Sequence, residues 1–306
     1  MTINMMSLPD LMQHLANGIS LGSLYALIAI GYTMVYGILR LINFAHGDIF
    51  MLGAYLTYYG IVYTPIPWYI VFLGSAIFTG LFGVVLERLA YRPLRSSARI
   101  TVLISAIGAS FLLQNLAILV FGGRPKAFPI PEVFNRIIKI NMGNDVVSIS
   151  LVTFIIPVVT IFLLIVLTYF IQKTKTGMAM RALSKDYETA SLMGINIDGT
   201  ISITFFIGSF LAAVGGIMWG IKFPQLLPLM GVVPGLKCFI AAVIGGIGNI
   251  AGAVIGGFIL GLGEIMLIAF LPTLTGYRDA FAFILLILIL LIKPTGLMGE
   301  KVAEKV

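Results

Sequence analysis

Arg40, Asn43, His46 and Asp48 fall within nine residues of one another, inside the stretch GYTMVYGILRLINFAHGDIFMLGAY (31–55). Side chains of these types donate and accept hydrogen bonds, exchange protons or hold cations. Their neighbours are almost all apolar. A soluble loop, a metal site or a broken membrane helix would each account for the pattern. The metal reading fails first: His14 and His46 are the only histidines, too few for a histidine-rich site and too far apart to form a pair on one helix.

Composition decides the solvent around that stretch. Of 306 residues, 59% are hydrophobic and 10% charged, against about a quarter charged in ordinary soluble domains. So few charges cannot cover a surface in water, and the chain reads as an all-α polytopic membrane protein. The 34 glycines fit tight helix packing in lipid. The net charge of +7 reflects orientation signals in loops and gives no reason to expect a nucleic-acid partner. One cysteine, Cys238, excludes a disulfide framework within the chain. The opening MTINMMSLPDLMQHLANG has no Lys or Arg, so it lacks the charged start of a cleaved signal peptide.

Apolar runs near the length of a membrane helix, about 20 residues, occur at 12–36, 68–90, 100–121, 150–171, 200–222 and 278–293. Two further regions, 37–60 and 236–271, are apolar but interrupted. About eight membrane helical elements are expected, in one transmembrane domain over 1–306, with broken or re-entrant segments near 37–50 and 243–252. ERLAYRPLRSSAR (87–99) and QKTKTGMAMRALSK (172–185) each carry four basic residues, which places both in the cytoplasm. The loop 122–149 is then periplasmic despite its own basic residues. Lys293, Lys301 and Lys305 put the carboxyl end inside. From a periplasmic loop at 223–235, that requires an odd number of crossings over 236–293.

AAVIGGIGNIAG (241–252) matches G-x-G-x-x-A at Gly246, Gly248 and Ala251. A dinucleotide site would need a soluble βαβ unit and an acidic residue about 20 positions on. The corresponding stretch here is LIAFLP. Helix packing is the stronger reading, with Gly248, Gly252 and Gly256 as one small-residue ridge and Gly257 and Gly261 as another. No phosphate-binding G-x-x-x-x-G-K-[ST] exists in the chain. An enzyme is therefore not expected.

An ionisable group at membrane depth must pair or line a wet cavity. Gly37 and Gly47 allow a helix to break around INFAHGD, and Asn43 or Asp48 could cap the helix that restarts. The plainer alternative makes Arg40 and Asp48 an ordinary aqueous helix end. A second break at 243–252, in the other half, favours a translocation pathway, because paired broken helices mark one. Gln114 and Asn115 suit helix-to-helix hydrogen bonds. Glu264 has no basic partner nearby in sequence and is a weaker pathway candidate. In RALSKDYETASLMGINIDG, Ser184 suits an N-cap and Gly194 a C-terminal cap. They outline a surface helix over 185–193, in a cytoplasmic loop at 173–199, with Tyr187, Ala190, Ser191 and Met193 as a contact side.

GYTMVYG, INFAHGD, ERLAYRP, ISAIG, ASLMGIN, AAVIGGIG and LLIKPTGLMG, taken together, resemble the H-type membrane subunit of bacterial branched-chain amino acid ABC importers, from Gly22 to Met298. The resemblance implies a multi-pass inner-membrane permease. It pairs with a second related permease, two cytoplasmic ATPases that bind ATP and magnesium, and a periplasmic substrate-binding protein. This chain binds no cofactor of its own. Glu188, Ala190 and Gly194 match the E-x-A-x-x-x-G part of the importer coupling motif; its I-x-L-P tail is absent. The ATPase contact then falls on Tyr187, Glu188, Ala190, Ser191 and Gly194. The solute path falls on Asn43, Phe44, His46, Gly47, Gly246 and Asn249, where freed backbone and neutral polar groups meet a zwitterion and Phe44, Ile49 and Phe50 its side chain. Permeases for urea or short amides share the scaffold, and a stand-alone ion-coupled transporter using Asp48 or Glu264 remains a different possibility.

Overall fold

In lipid, backbone N–H and C=O groups have no water to bond, so apolar segments close their hydrogen bonds within themselves. The computed structural model, which describes residues 7–142 and 145–299, is accordingly helical. Lys301 and Lys305 lie outside the described residues, as does the start of the chain through residue 6.

The elements run α1 (Leu8–Leu39), α2 (His46–Tyr63) and α3 (Trp68–Leu86), the last continuing through a π-turn at Glu87–Tyr91 and a 3-10 turn at Arg92–Leu94. There follow α4 (Arg99–Phe121), β1 (Lys126–Ala127), β2 (Ile137–Met142), β3 (Asp145–Ser150), α5 (Leu151–Lys173), α6 (Lys175–Lys185) and α7 (Tyr187–Leu192). The chain continues with α8 (Ile197–Lys222), β4 (Gln225–Leu226), α9 (Val232–Gly245), α10 (Ile250–Phe270), a 3-10 turn at Pro272–Tyr277 and α11 (Arg278–Ile292). The strands form two small antiparallel pairs, β1 with β4 and β2 with β3.

Among the described residues, seven helical segments are long and apolar enough to cross a membrane. The 18-residue α2 and the 14-residue α9 are shorter, and each crosses only together with the segment that leads into it, 41–45 or 223–231. The chain is thus an all-α, multi-pass membrane protein.

Lys222 Nζ donates to Ser20 Oγ at 2.7 Å, and β4 pairs with β1, so the end of α8 and the 122–149 loop share a face with the start of α1. The positively charged loops share the opposite face, where Arg95 meets Asp198 at 2.8 Å. On that arrangement α9, α10 and α11 make three passes after α8, the odd number that the loop charges require.

Helix α1 is the hub. It is buried continuously from Ser20 to Val35 and packs on α5, α8, α9 and α10. Its contact with α10 depends on missing side chains: a Cβ on Gly257 would meet Ala26, and one on Gly261 would meet Gly22. Gly252 and Gly256 instead lie against Gly245 and Ala241 of α9. Gly248, expected on the same ridge, sits in the α9–α10 connection with φ 98°, beside Gly37. The helix begins two residues later, so Gly248 cannot share its periodicity.

Glu264, read from sequence as lacking a basic partner, has two. Lys237 Nζ on α9 lies 2.8 Å from Oε1, and Arg278 Nε on α11 donates to Oε2 at 2.6 Å. The Tyr25 hydroxyl also donates to Oε2, and Asp279 meets Lys237 at 2.6 Å. Antiparallel packing of α9 on α10 brings Lys237 to a residue 27 positions away, which spacing along the chain does not reveal.

Candidate functional site

The break sits where the polar cluster is, but not through the devices the sequence suggests. Gly37 remains inside α1, and Arg40 ends the helix in the left-handed region at φ 53°. Residues 41–45 lead back into the protein, and α2 starts at His46 behind Ala45, without a side-chain cap. Neither Asn43 nor Asp48 caps it. Asn43 Oδ1 accepts a hydrogen bond from the Tyr91 hydroxyl at 2.7 Å, while Asp48 Oδ2 accepts one from Ser110 on α4. His46 Nε2 lies 3.3 Å from the Ile28 carbonyl, and its ring faces Tyr32 at 4.4 Å. Ile28 is some 16 Å along α1 from that helix's cytoplasmic end, at 1.5 Å per residue. Asn43, His46 and Asp48 are therefore buried deep inside the fold.

The expected break in 243–252 is present, between the end of α9 at Gly245 and the start of α10 at Ile250, but it lies at the inner face and is not the segment that meets Gly47. From the outer end of α8, residues 223–231 run back inward, and α9 starts at Val232 with Gly231 and Gly235 against Gly47. The expected periplasmic loop at 223–235 is thus partly a re-entrant segment. Two helices begin inside the protein and leave in opposite directions, α2 outward and α9 inward. A side chain at Gly47 or Gly231 would strike the other's carbonyl, which explains glycine at both. The half-buried Phe44 ring packs 6.4 Å from Phe239 on α9, beside this meeting point. The N-terminal ends of helices carry partial positive charge; in α2 the Asp48 carboxyl already sits in the first turn, whereas the first turn of α9 has no acidic residue and favours an anionic group.

Gly246 and Asn249 lie elsewhere. At the inner face, Leu297 and Met298 donate backbone N–H groups to the Ile244 and Gly245 carbonyls that end α9. Asn249 Oδ1 caps α10 by accepting from the Gly252 N–H, and its Nδ2 donates to the Met298 carbonyl. The six pathway candidates therefore divide into an internal group, Asn43, Phe44, His46 and Gly47, and a pair at the cytoplasmic face. Asn249 also lines a cytoplasmic cavity of about 2330 Å³ together with Arg40, Arg95, Tyr187, Asp198 and Gly248.

The loop between α5 and α8 folds as two helices rather than one over 185–193. Ser184 belongs to α6, where its hydroxyl donates to the Arg181 carbonyl. Asp186 is the N-cap of α7, accepting from the Glu188 and Thr189 N–H groups at 3.0 and 3.1 Å. Gly194, at φ 77°, closes the other end, with Ile195 donating back to the Ala190 carbonyl. Tyr187, Glu188 and Ser191 are exposed, but Ala190 is buried and cannot belong to a contact side. Leu192, 87% exposed, takes that place.

Arg95 ties this loop to the membrane helices. Burial acts to lower its pKa, but hydrogen bonds with Tyr187 and Asp198 and the charge of Glu87 outweigh that and raise it. Sequence reasoning missed Tyr91, Glu87 and Tyr32 as participants. Only ERLAYRP carried a signal, and its arginines read as orientation charges.

Residues 14–290 match the family described as the branched-chain amino acid transport system / permease component. The chain is 45% identical over 304 residues to the high-affinity branched-chain amino acid transport system permease protein LivH of Salmonella typhimurium, covering 96% of this chain and 97% of that one. LivH of Escherichia coli K12 is 44% identical over 304 residues, with the same coverage. BraD of Pseudomonas aeruginosa, described in the same words, is 44% identical over 305 residues, 96% of this chain and 98% of that one. With seven membrane-length helices and a family match over most of its length, the chain belongs to the branched-chain amino acid transport permease family.

Proposed function

We propose that this chain is a permease subunit of an ABC importer that moves branched-chain amino acids into the cytoplasm, energised by partner ATPases. The observation that carries the reading is the internal junction of α2 and α9, found in a chain of this permease family. The N-terminus of α9 favours the solute carboxylate, Asn43 and His46 offer neutral polar groups, and Phe44 and Phe239 supply an apolar wall. Gly246 and Asn249 would serve the cytoplasmic exit. The loop at 173–199 is the ATPase contact, presenting Tyr187, Glu188, Ser191 and Leu192. ATP and magnesium belong to those partners, since this chain has no phosphate loop. A second permease and a periplasmic binding protein complete the assembly.

The ion-coupled alternative loses support, because its two candidate groups are engaged: Glu264 with Lys237 and Arg278, Asp48 with Ser110. Uptake of labelled leucine into vesicles, with and without the ATPases, tests the reading. Import should require both ATPases and ATP. Asn43→Ala or His46→Ala should reduce it about tenfold or more, the effect of losing one hydrogen bond to a charged group. Leucine entry driven by an ion gradient without the ATPases would refute it.

A further inference from the structure

The cytoplasmic loop and the internal junction are joined by a short path of polar contacts through the π-turn at Glu87–Tyr91. At one end, Arg95 donates to Asp198 at 2.8 Å and to Glu87 at 2.5 Å, and it lines the cytoplasmic cavity together with Tyr187 of α7. Glu87 is fully buried. Besides Arg95, its carboxylate accepts from Arg92 at 3.3 and 3.2 Å and from Ser202 of α8 at 2.9 Å. At the other end, the Tyr91 hydroxyl donates to Asn43 Oδ1. Tyr91 and Asn43 are each 2% exposed, and Asn43 Nδ2 has no partner among the described residues. A buried donor left open in this way is costly unless a ligand uses it.

The backbone between these ends is the unusual part. Arg92 N–H donates to the Glu87 carbonyl, five residues back, so the turn holds one residue more than an α-helix would. Ser105 of α4 donates to the Ala90 carbonyl at 2.7 Å inside the same turn. A π-turn converts to α by passing its extra residue along the helix, and each residue so passed rotates the downstream chain by about 100°. Such a rotation would carry the Tyr91 hydroxyl away from Asn43. Such a conversion would give the segment a second arrangement, with the contacts at both ends bearing on which is held.

We propose that Glu87–Tyr91 is the element that transmits ATPase action to the solute junction, with Tyr91 the positioning residue that sets the Asn43 carboxamide. This rests on the reading of the chain as an ATP-driven permease. In this scheme Tyr91 holds Oδ1 and so leaves Nδ2 directed to a solute carboxylate. Movement of the α7 loop, felt through Arg95 and Glu87, changes the turn and withdraws that donor.

The test is the ratio of leucine imported to ATP hydrolysed, measured on the whole importer in proteoliposomes. Wild-type import driven by ATP is the reference; if it is absent, the proposed function itself fails. Given that reference, Tyr91→Phe and Arg95→Lys should each assemble in wild-type amount and lower the ratio about fivefold, and the double variant should be no worse than the lower single, as residues acting through one element do. A role in stability alone would shift thermal unfolding without changing the ratio. An unchanged ratio in Tyr91→Phe overturns the proposal. So do effects that multiply in the double variant, and so does loss of assembly in Tyr91→Phe, which would make the hydroxyl a fold contact.

Discussion

At the scale of single residues, the buried charges near α9 are the most sensitive feature. Glu264 is fully buried and Lys237 nearly so, and among the described residues each is compensated by the other members of the cluster. Removing one partner of a buried pair leaves a charge without compensation, at a cost of about 3–5 kcal/mol. Glu264→Ala should therefore destabilise the purified chain by about that amount, read as a lower unfolding midpoint in detergent. Glu264→Gln combined with Lys237→Met should recover much of the loss. If the double variant is no more stable than Glu264→Ala, the cluster does not act through charge compensation. The same residue also shows what the sequence conceals. Glu264 looks isolated along the chain because its partners come from two other helices, and the Tyr91–Asn43 contact spans 48 positions.

Elements were more legible. Lipid forces apolar runs into helices, so 68–90, 100–121 and 150–171 already mark α3, α4 and α5. The break near 40–45 announced itself because polar side chains in an apolar run need a reason. Its counterpart did not: FPQLLPLMGVVPG, rich in proline and glycine, reads as an outer loop, and nothing local says that it turns back inward. The α7 helix was recognisable from its caps, although Asp186, closer to the helix than Ser184, wins the cap because its carboxylate reaches two N–H groups. Two predictions belong here. Gly256→Leu should prevent α10 from seating on α9 and abolish assembly, seen as loss of the complex by size-exclusion chromatography; normal assembly would place that face outward. Leu192→Glu should leave the fold intact, since the side chain touches little, yet suppress ATP hydrolysis stimulated by solute. Undiminished stimulation would remove α7 from the ATPase contact.

At the scale of the whole molecule, water reaches the protein from the cytoplasmic side without reaching the junction. The cavity touches Arg40, Gly248 and Asn249, while Asn43 and His46 stay buried behind them. In a Cys238→Ala background, a cysteine at Arg40 should react with a water-soluble thiol reagent from the cytoplasm. A cysteine at His46 should react at least ten times more slowly, as expected of a group shielded by packing. Equal rates would mean that the junction is open to water at rest. The central place of α1 carries a different implication, for synthesis. Helix α1 is made well before its neighbours α8, α9 and α10, and α9 is too short, at about 21 Å, to span the bilayer alone. A ribosome that has not yet gone beyond residue 230 has therefore placed in the membrane a helix whose glycine-lined groove at Gly18 and Gly22 is still empty. Until α10 arrives to fill it, that groove is a mark by which quality control can tell an unfinished chain from a finished one.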